Sequence, residues 1–254
     1  YLDAILEHHR ARASADRRDL AALIEAAGAC ERPRGFRQAL AAAEGLAVIS
    51  ELKRRSHSKG DLSIDLDPVA MARAYEAGGA SCLSVLTDHE HFGGSADDLK
   101  AARAAVDVPV LRKDFTVDLR DICDARLMGA DCVLLIVAAL DDGELSDFRA
   151  LAVELGIDAL VETHDEAEVE RALAVGATLI GVNQRDLFTF EVDQERAVRV
   201  AAALPASVVR VAESGVRGAE DARALAAAGY DAVLVGESLV TSGDPGAAVR
   251  ALRG

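Results

Sequence analysis

The sequence predicts an α/β protein built as a (β/α)8 TIM barrel with an N-terminal helical extension, and three observations support this prediction. The chain has 254 residues, a length that suits one large domain better than two small ones. From residue 46 onward, short runs rich in Val, Ile and Leu alternate with Ala-rich amphipathic stretches, which is the pattern of repeated βαβ units. Eight such runs occur, the number that closes a barrel of parallel strands.

The boundaries of the predicted elements are marked by residues with known positional preferences. We expect strands over residues 46–53, 80–87, 108–115, 130–140, 157–164, 178–185, 208–215 and 230–238. Asp or Ser stands near the start of the intervening helices, at Asp67, Ser95, Asp118, Asp141, Asp165 and in segment 218–221. Glycine marks their ends, at Gly78, Gly79, Gly129, Gly156, Gly176 and Gly229.

These boundaries leave residues 1–45 as a helical extension, so we expect one domain over residues 1–254 with the barrel over 46–254. A doubly wound open sheet is the alternative fold. Such a sheet normally carries a Gly-rich phosphate turn after its first strand, where this chain has the charged segment KRRSHSKG at 53–60.

The charge balance and the cysteines limit the classes of partner and cofactor. Lys and Arg number 28 against 43 Asp and Glu, a net charge of −15 that repels nucleic acid and acidic membranes. An anionic ligand must therefore meet a local cluster of positive charge. The four cysteines include no C-x-x-C pair, so we expect neither a disulfide scaffold nor a metal site.

The apolar segments indicate where the protein works. No uncharged apolar run approaches the roughly 20 residues that cross a bilayer. The first ten residues resemble an amphipathic helix and lack the apolar core of a secretory signal. We therefore expect a cytoplasmic protein without a membrane partner, and a monomer is favoured.

Polar residues interrupt the apolar strands at their carboxyl ends. Five of the eight predicted strands end this way and together supply three carboxylates, two amines and an amide: Glu51, Lys53, Lys113, Glu162, Asn183 and Glu213. In a barrel enzyme the site is built at this rim, and adjacent Lys and Glu shift each other's pKa toward values useful in acid–base chemistry. Structural ion pairs across the barrel top are the alternative interpretation.

A second group of residues predicts a phosphate site. Small residues follow the last two strands, in ESGV at 213–216 and VGES at 235–238. They leave backbone N–H groups free to approach a phosphate, at a place where many barrels bind one. Together with Arg185 and Ser56, these two segments predict a phosphate cradle that also neutralises the charge of the dianion.

The segments at these strand ends resemble those of the indole-3-glycerol-phosphate synthase family. VISELKRRSHSKG at 48–60 is similar to its first-strand signature, except that His57 stands where the signature usually has Pro, and PVLRKDF at 109–115 is similar to its third-strand motif. Further matches, in the same order along the chain, are FGGS at 92–95, LLIVA at 134–138, IGVNQRDL at 180–187, VAESGV at 211–216 and VLVGES at 233–238.

The resemblance implies a carboxy-lyase of tryptophan biosynthesis that uses no metal or organic cofactor. Its substrate would be 1-(2-carboxyphenylamino)-1-deoxyribulose 5-phosphate, which closes to indole-3-glycerol phosphate with loss of carbon dioxide and water. By the resemblance, Lys113 protonates the sugar ketone, while Glu162 and Glu51 serve the later loss of the hydroxyl. Lys53 anchors the substrate carboxylate or donates a proton. Asn183 and Glu213, with Ser214 beside them, orient and bind the substrate, and Phe92, Phe115 and Leu187 line the slot for the aromatic ring. The resemblance also implies the phosphate contacts, which are Ser56, Arg185, Gly215, Gly236 and Ser238.

Two other functions are alternatives to this interpretation, and several histidines have no role in it. A phosphoribosylanthranilate isomerase would use a Cys or Asp pair at other strand ends, and a catalytically silent barrel subunit would lack at least one of Glu51, Lys53, Lys113 and Glu162. The pairs His8-His9 and His89-x-His91 are expected to be solvated rather than metal ligands. His164 either caps the following helix or supports the rim.

Overall fold

The computed structural model describes residues 2–56, 59–186 and 191–254, and its centre is a closed barrel of eight parallel strands. The strands are β1 Ala47–Leu52, β2 Cys82–Leu86, β3 Val110–Lys113, β4 Cys132–Ile136, β5 Asp158–Thr163, β6 Leu179–Asn183, β7 Val209–Glu213 and β8 Ala232–Val235. β1 pairs with β8 through Ala47 and Ala232 and with β2 through Ile49 and Cys82, which closes the ring. The barrel prediction is therefore confirmed, and the open-sheet alternative is wrong.

Every predicted strand is present, with narrower limits than the sequence suggested. The largest difference is at β4, predicted over 130–140, because Val137–Ala139 form a 3-10 turn directly after Ile136. All five residues of β4 are buried, as expected for a strand covered on both faces. The apolar run continues into the buried turn, so composition alone could not place the strand end.

Helices cover the outside of the barrel, and five of them begin at a predicted cap, which is Asp67, Ser95, Asp118, Asp141 or Asp165, whereas the helix predicted from segment 218–221 begins after Gly218 without a side-chain cap. They are α1 Leu2–Ala15, α2 Leu20–Gly28, α3 Phe36–Ala41, α4 Pro68–Ala77, α5 His89–Phe92, α6 Ala96–Ala105, α7 Leu119–Met128, α8 Asp142–Glu154, α9 Glu166–Ala174, α10 Arg196–Val200, α11 Ala219–Ala227, α12 Glu237–Val240 and α13 Pro245–Arg253. Asp141 and Glu144 form a capping box at α8, with bonds of 2.8 and 3.0 Å. Gly129 ends α7 at φ +90°, a conformation that favours glycine.

The first three helices form the predicted extension. α3 places Phe36 and Leu40 in the core, and Asp158 at the start of β5 accepts the backbone N–H of Arg37 at 2.8 Å. α1 reaches the opposite end of the barrel, where its buried Leu2 and Ile5 meet the carboxyl ends of the strands. In the described part of the chain, no helix combines the length and the apolar character needed to cross a membrane.

Candidate active site

A cavity of about 730 Å³ opens at the carboxyl ends of the strands. Most residues predicted for the site line it: Glu51, Lys53, Ser56, Phe92, Lys113, Phe115, Glu162, Asn183, Arg185, Ser214, Gly215, Gly236 and Ser238. Glu213 does not line the cavity and is only 1% exposed, although the sequence predicted it at the rim. Leu187 and His57 lie outside the described residues.

Lys113 stands at the centre of a buried cluster of carboxyl groups. Its Nζ lies 3.4 Å from Glu162 Oε2 and 3.8 Å from Glu213 Oε2. Burial lowers the pKa of Lys113, but the neighbouring carboxyl groups, Glu162 first, outweigh it and raise that pKa above its ordinary value. The side chain is therefore an ammonium ion beside the cavity.

A second Lys–Glu pair lies on β1. Lys53 Nζ donates to Glu51 Oε1 at 2.7 Å, and Ser84 of β2 donates to Glu51 Oε2 at 3.2 Å. Burial raises the pKa of Glu51, but the charges of Lys53 and Lys113 outweigh it and hold that pKa below its usual range. Glu51 is thus a carboxylate held in place by two donors.

The two carboxyl groups nearest to Lys113 differ in charge. Burial raises the pKa of Glu162, but Lys113 and His164 outweigh it and lower that pKa, and Asn183 Nδ2 donates to Glu162 Oε1 at 3.1 Å. For Glu213, burial and the charge of Glu162 raise the pKa well above its ordinary value. Both Glu213 oxygens are buried without a hydrogen-bond partner among the described residues. Glu162 is therefore the anion of this pair and Glu213 the neutral acid.

Two glycines make room for the buried carboxyl groups. A Cβ at Gly181 would collide with Glu213 Oε1 and come within 3.3 Å of Leu160. A Cβ at Gly236 would lie 2.7 Å from Glu51 Oε1. Gly236 was predicted only as a phosphate contact, and Gly181 was not singled out. A glycine within an otherwise apolar strand was the available signal, because it marks a close approach.

The loop after β7 forms the side of the cavity where the sequence predicted a phosphate. Ser214 has φ +66° and Gly215 φ +73°, so two successive residues adopt the left-handed conformation. Gln184 Nε2 donates to the Ser214 carbonyl at 2.7 Å, and Gln194 Nε2 donates to the Gly215 carbonyl at 2.9 Å. These bonds hold a conformation that costs a non-glycine residue on the order of 1 kcal/mol.

Positive charge borders the same side of the cavity. Arg185, Lys59 and Arg217 all line it, and Lys59 forms an ion pair with Glu237. The sequence gives the whole chain a net charge of −15, so these side chains supply the local cluster that an anionic ligand needs.

The opposite side of the cavity is apolar. The rings of Phe92 and Phe115 stack with centroids 6.4 Å apart and an interplanar angle of 29°. Leu2 and Ile5 of α1 also line the cavity, and neither was predicted from the sequence. Their position depends on how α1 packs against the barrel, which no local pattern in the first 15 residues indicates.

Histidines expected to be solvated are in part buried. His9 is 1% exposed and its Nε2 lies 2.9 Å from Asp88 Oδ2, while His91 Nδ1 lies 3.1 Å from the same oxygen. The expectation is therefore wrong for His9 and His91. Their ligand atoms and those of Asp88 all lie within 4.8 Å of one another, close enough to hold a metal ion. Arg12 Nη2 stands 3.2 Å from His9 Nδ1, which places a cation beside the group.

His164 supports the rim and does not cap the following helix. Asp165 caps α9, whereas His164 Nδ1 lies 3.0 Å from Glu168 Oε2 and its Nε2 lies 3.6 Å from Glu162 Oε1. Both roles were compatible with the sequence, and the contact with Glu162 decides between them.

The closed barrel and the Lys–Glu cluster at its mouth define the class of protein as a (β/α)8-barrel enzyme suited to acid–base chemistry. A family model described as "Indole-3-glycerol phosphate synthase" matches residues 2–252. By the extent of this match, the chain belongs to the indole-3-glycerol phosphate synthase family.

Curated relatives agree with the family model. A protein from Mycolicibacterium gilvum named indole-3-glycerol phosphate synthase is 52% identical over 250 residues, which cover 98% of this chain and 92% of that protein. One of the same name from Micrococcus luteus is 54% identical over 243 residues, covering 93% and 91% of the two chains. The resemblance found in the strand-end motifs is therefore confirmed.

Solved structures with distant sequences share the fold. A thiamine phosphate pyrophosphorylase from Pyrococcus furiosus aligns with a TM-score of 0.62 at 18% identity, covering 85% of this chain and 95% of that one. A 3-hexulose-6-phosphate synthase aligns with a TM-score of 0.63 at 18% identity, covering 83% and 98%. At this identity the likeness concerns the barrel alone.

Proposed function

We propose that this chain is an indole-3-glycerol phosphate synthase that closes the indole ring of a phosphorylated anthranilate–sugar adduct with loss of carbon dioxide and water. The observation that carries the proposal is the Lys113 ammonium ion, buried against Glu162 and facing a cavity with an apolar slot and a positively charged end. The names of the relatives support the same reaction.

In this reaction Lys113 acts as the general acid on the sugar ketone. Attack by the aromatic carbon builds negative charge on the ketone oxygen, and a positioned ammonium ion compensates that charge by giving up a proton. Lys53 holds the carboxylate that leaves as carbon dioxide. Glu162 and Glu51 serve the later loss of the hydroxyl, with Asn183 orienting Glu162.

The two ends of the cavity bind the two ends of the substrate. The aromatic ring lies between the side chains of the apolar side, which include Phe92 and Phe115, with Leu187 as a further proposed contact. The phosphate lies against Arg185, Ser56, Ser238 and the loop at Ser214, Gly215 and Gly236. We also infer that residues 1–254 act as one domain and as a monomer, because α1 completes the cavity from within the same chain.

The test is direct conversion of the adduct by the purified protein. The product contains an indole, which absorbs and fluoresces, and the chain has no Trp that would add background emission. We expect indole fluorescence to rise and one carbon dioxide to be released for each product formed. A protein that binds the adduct and forms no indole would contradict the proposal and favour the catalytically silent barrel.

A further inference from the structure

The reaction proposed above takes up one proton from solvent in every turnover. The carboxylate leaves as neutral carbon dioxide and the hydroxyl leaves as water, so the charge of the reactants balances only if one H⁺ is added. The groups that face the reacting atoms are poorly placed to fetch it, since Glu162 is 1% exposed and Glu51 is 2% exposed. A substrate that fills the cavity would also separate these two carboxylates from the solvent at its mouth. A buried site of this kind needs a second route for protons.

His164 lies between the active-site cavity and a separate cavity on the protein surface. Glu162 lines the former, whereas His164 and Glu168 line the latter, a space of about 330 Å³ that also contacts Asp186 and Arg196. The His164 side chain is 12% exposed, and its Nε2 is buried with no hydrogen-bond partner in the part of the chain that the structure describes. That nitrogen lies 3.6 Å from Glu162 Oε1, a gap that a small rotation or one water closes.

Glu168 fixes the orientation of the imidazole. Its Oε2 accepts the His164 backbone N–H at 2.8 Å and lies 3.0 Å from Nδ1 of the ring. Nδ1 therefore carries a proton toward Glu168, and Nε2 is directed to Glu162. This is the arrangement by which a carboxylate sets the tautomer of a histidine that exchanges protons at its other nitrogen.

We propose that His164, oriented by Glu168, relays protons from the surface cavity to Glu162 during turnover. The inference rests on the proposed function, because it assigns the source of the proton which that reaction consumes. His164 acts through Glu162 and does not itself contact the substrate.

The proton balance of one relay step is simple. The Nε2–H bond of the imidazolium breaks, an O–H bond forms on Glu162, and the electron pair stays on Nε2. Glu162 then gives this proton to the departing hydroxyl, whose C–O bond breaks with its electrons leaving in water. The adjacent C–H bond breaks, its electrons form the C=C bond of the indole ring, and its proton is taken up by Glu51 and restores the Lys113 ammonium ion that the ketone had discharged. The neutral ring keeps Nδ1–H on Glu168. Because Nε2 is buried beside Glu162, it regains a proton from solvent when the imidazole rotates to present Nε2 to the surface cavity and then returns.

The charges around His164 favour its protonated form. Burial lowers the pKa of His164, but the hydrogen bond with Glu168 and the charges of Glu162 and Glu168 outweigh it and raise that pKa above its ordinary value, while Arg196 acts in the opposite sense. Asp165 and Glu166 of the α9 end, Asp186, and Arg199 of α10 border the same cavity. The relay should therefore keep its proton to a higher pH than an ordinary histidine and lose it as the pH rises further.

The experiment removes the imidazole and returns it from solution. For His164→Ala we expect kcat to fall about 10- to 100-fold with KM changed less than about 3-fold, because a proton transfer is lost and substrate contacts are not. Added imidazole should restore kcat at least about 5-fold, and the restored rate should follow the protonated fraction of imidazole. A kcat within 2-fold of the parent, or a loss that imidazole does not restore, would overturn the relay.

A second pair of variants distinguishes the loss of the relay from a defect in folding. Glu168→Gln keeps an acceptor for the His164 backbone N–H but removes the negative charge, so we expect kcat to fall several-fold and its alkaline limb to move to lower pH. Glu170→Gln, an exposed position on the same helix, is the matched control and should leave both unchanged. If kcat depended on pH in the same way in Glu168→Gln and Glu170→Gln, the relay would be contradicted. A parent that forms no indole would instead contradict the proposed function.

Discussion

At the scale of single residues, the chemistry depends on which of two adjacent carboxyl groups keeps its proton. Glu162 has two donors, Lys113 and Asn183, whereas Glu213 has no hydrogen-bond partner among the described residues and lies beside the anion of Glu162. A second negative charge there would be buried next to the first, which is strongly unfavourable. Gly181 permits this arrangement because any side chain at that position would collide with Glu213.

The neutral state of Glu213 predicts an unusual stability effect. A carboxyl whose pKa is raised by folding stabilises the protein fully below its unfolded pKa of about 4.3, and that contribution is lost as the pH rises through the folded pKa. Glu213→Gln removes the titration and keeps the shape. We expect its Tm at pH 7 to exceed that of the parent by roughly 2–4 °C per kcal/mol relieved, with the gain shrinking toward pH 4.

Thermal unfolding at pH 4 and pH 7 checks this expectation, with Glu162→Gln as the comparison. That variant removes a charge that Lys113 compensates, so it should unfold at lower temperature at pH 7. If Glu213→Gln proved the less stable of the two at neutral pH, Glu213 would be the ionised group and the assignment would have to be reversed.

At the scale of elements, α1 forms part of the cavity wall. Leu2 and Ile5 enter the apolar side, and the His9 ring packs against Phe115 at a centroid distance of 5.2 Å. The buried contact between His9 and Asp88 joins α1 to the start of α5, the helix that contains Phe92. The position of the aromatic slot thus depends on an element outside the barrel.

Replacing His9 tests this attachment. In His9→Asn the buried Asp88 loses its bond from Nε2, so we expect a destabilisation of about 1–3 kcal/mol and a KM raised several-fold as Leu2 and Ile5 loosen. His8→Asn is the control, because its side chain is half exposed, and surface substitutions usually change stability by less than about 0.5 kcal/mol.

The loss of stability at low pH gives a second measurement on the contact between His9 and Asp88. Burial raises the pKa of Asp88, but the bonds from His9 and His91 outweigh it and hold that pKa well below its usual range. Asp88 therefore contributes stability above about pH 4, which is lost as the pH falls through its folded pKa. The parent should lose stability in acid more steeply than His9→Asn. Parallel acid limbs would mean that His9 does not stabilise the Asp88 charge.

The elements differ in how well the sequence could predict them. Caps such as Asp118 and Asp165 and the terminal Gly129 are local signals, and all occur where expected. Asp88, which caps the short α5, was not identified, because a helix of four residues shows no apolar period. The contact of His9 with Asp88 spans 79 residues, and no pattern within either segment indicates it.

At the scale of the whole molecule, topology explains why most of the site could be predicted. The carboxyl ends of all strands in a parallel barrel meet at one rim, so polar residues at those ends must converge. This brings Glu51, Lys113 and Glu162 together from three distant segments. The depth of Glu213 and the link from Glu162 to His164 depend on side-chain packing, which strand periodicity does not specify.

The charges of the molecule are unevenly distributed between the active-site cavity and the rest of the chain. The chain carries a net charge of −15, yet four cations border the active-site cavity, and these are Lys53, Lys59, Arg185 and Arg217. An anionic ligand is repelled by most of the surface and attracted at this mouth.

Arg185→Ala should therefore raise KM more than it lowers kcat, since a phosphate far from the reacting carbons supplies mostly uniform binding. Steady-state kinetics distinguish this from a defect in kcat alone, which would move Arg185 to the chemistry.

The central claim is that the Lys113 ammonium ion is the acid that drives ring closure, and the most direct test is kcat for indole formation in Lys113→Ala and Lys113→Arg. Arginine keeps the positive charge but does not release a proton near neutral pH, so both variants should lose on the order of 10²-fold or more in kcat while still binding the phosphate. Lys100→Ala, at an exposed position on α6, should match the parent. Turnover by Lys113→Ala within a few-fold of the parent would contradict the account.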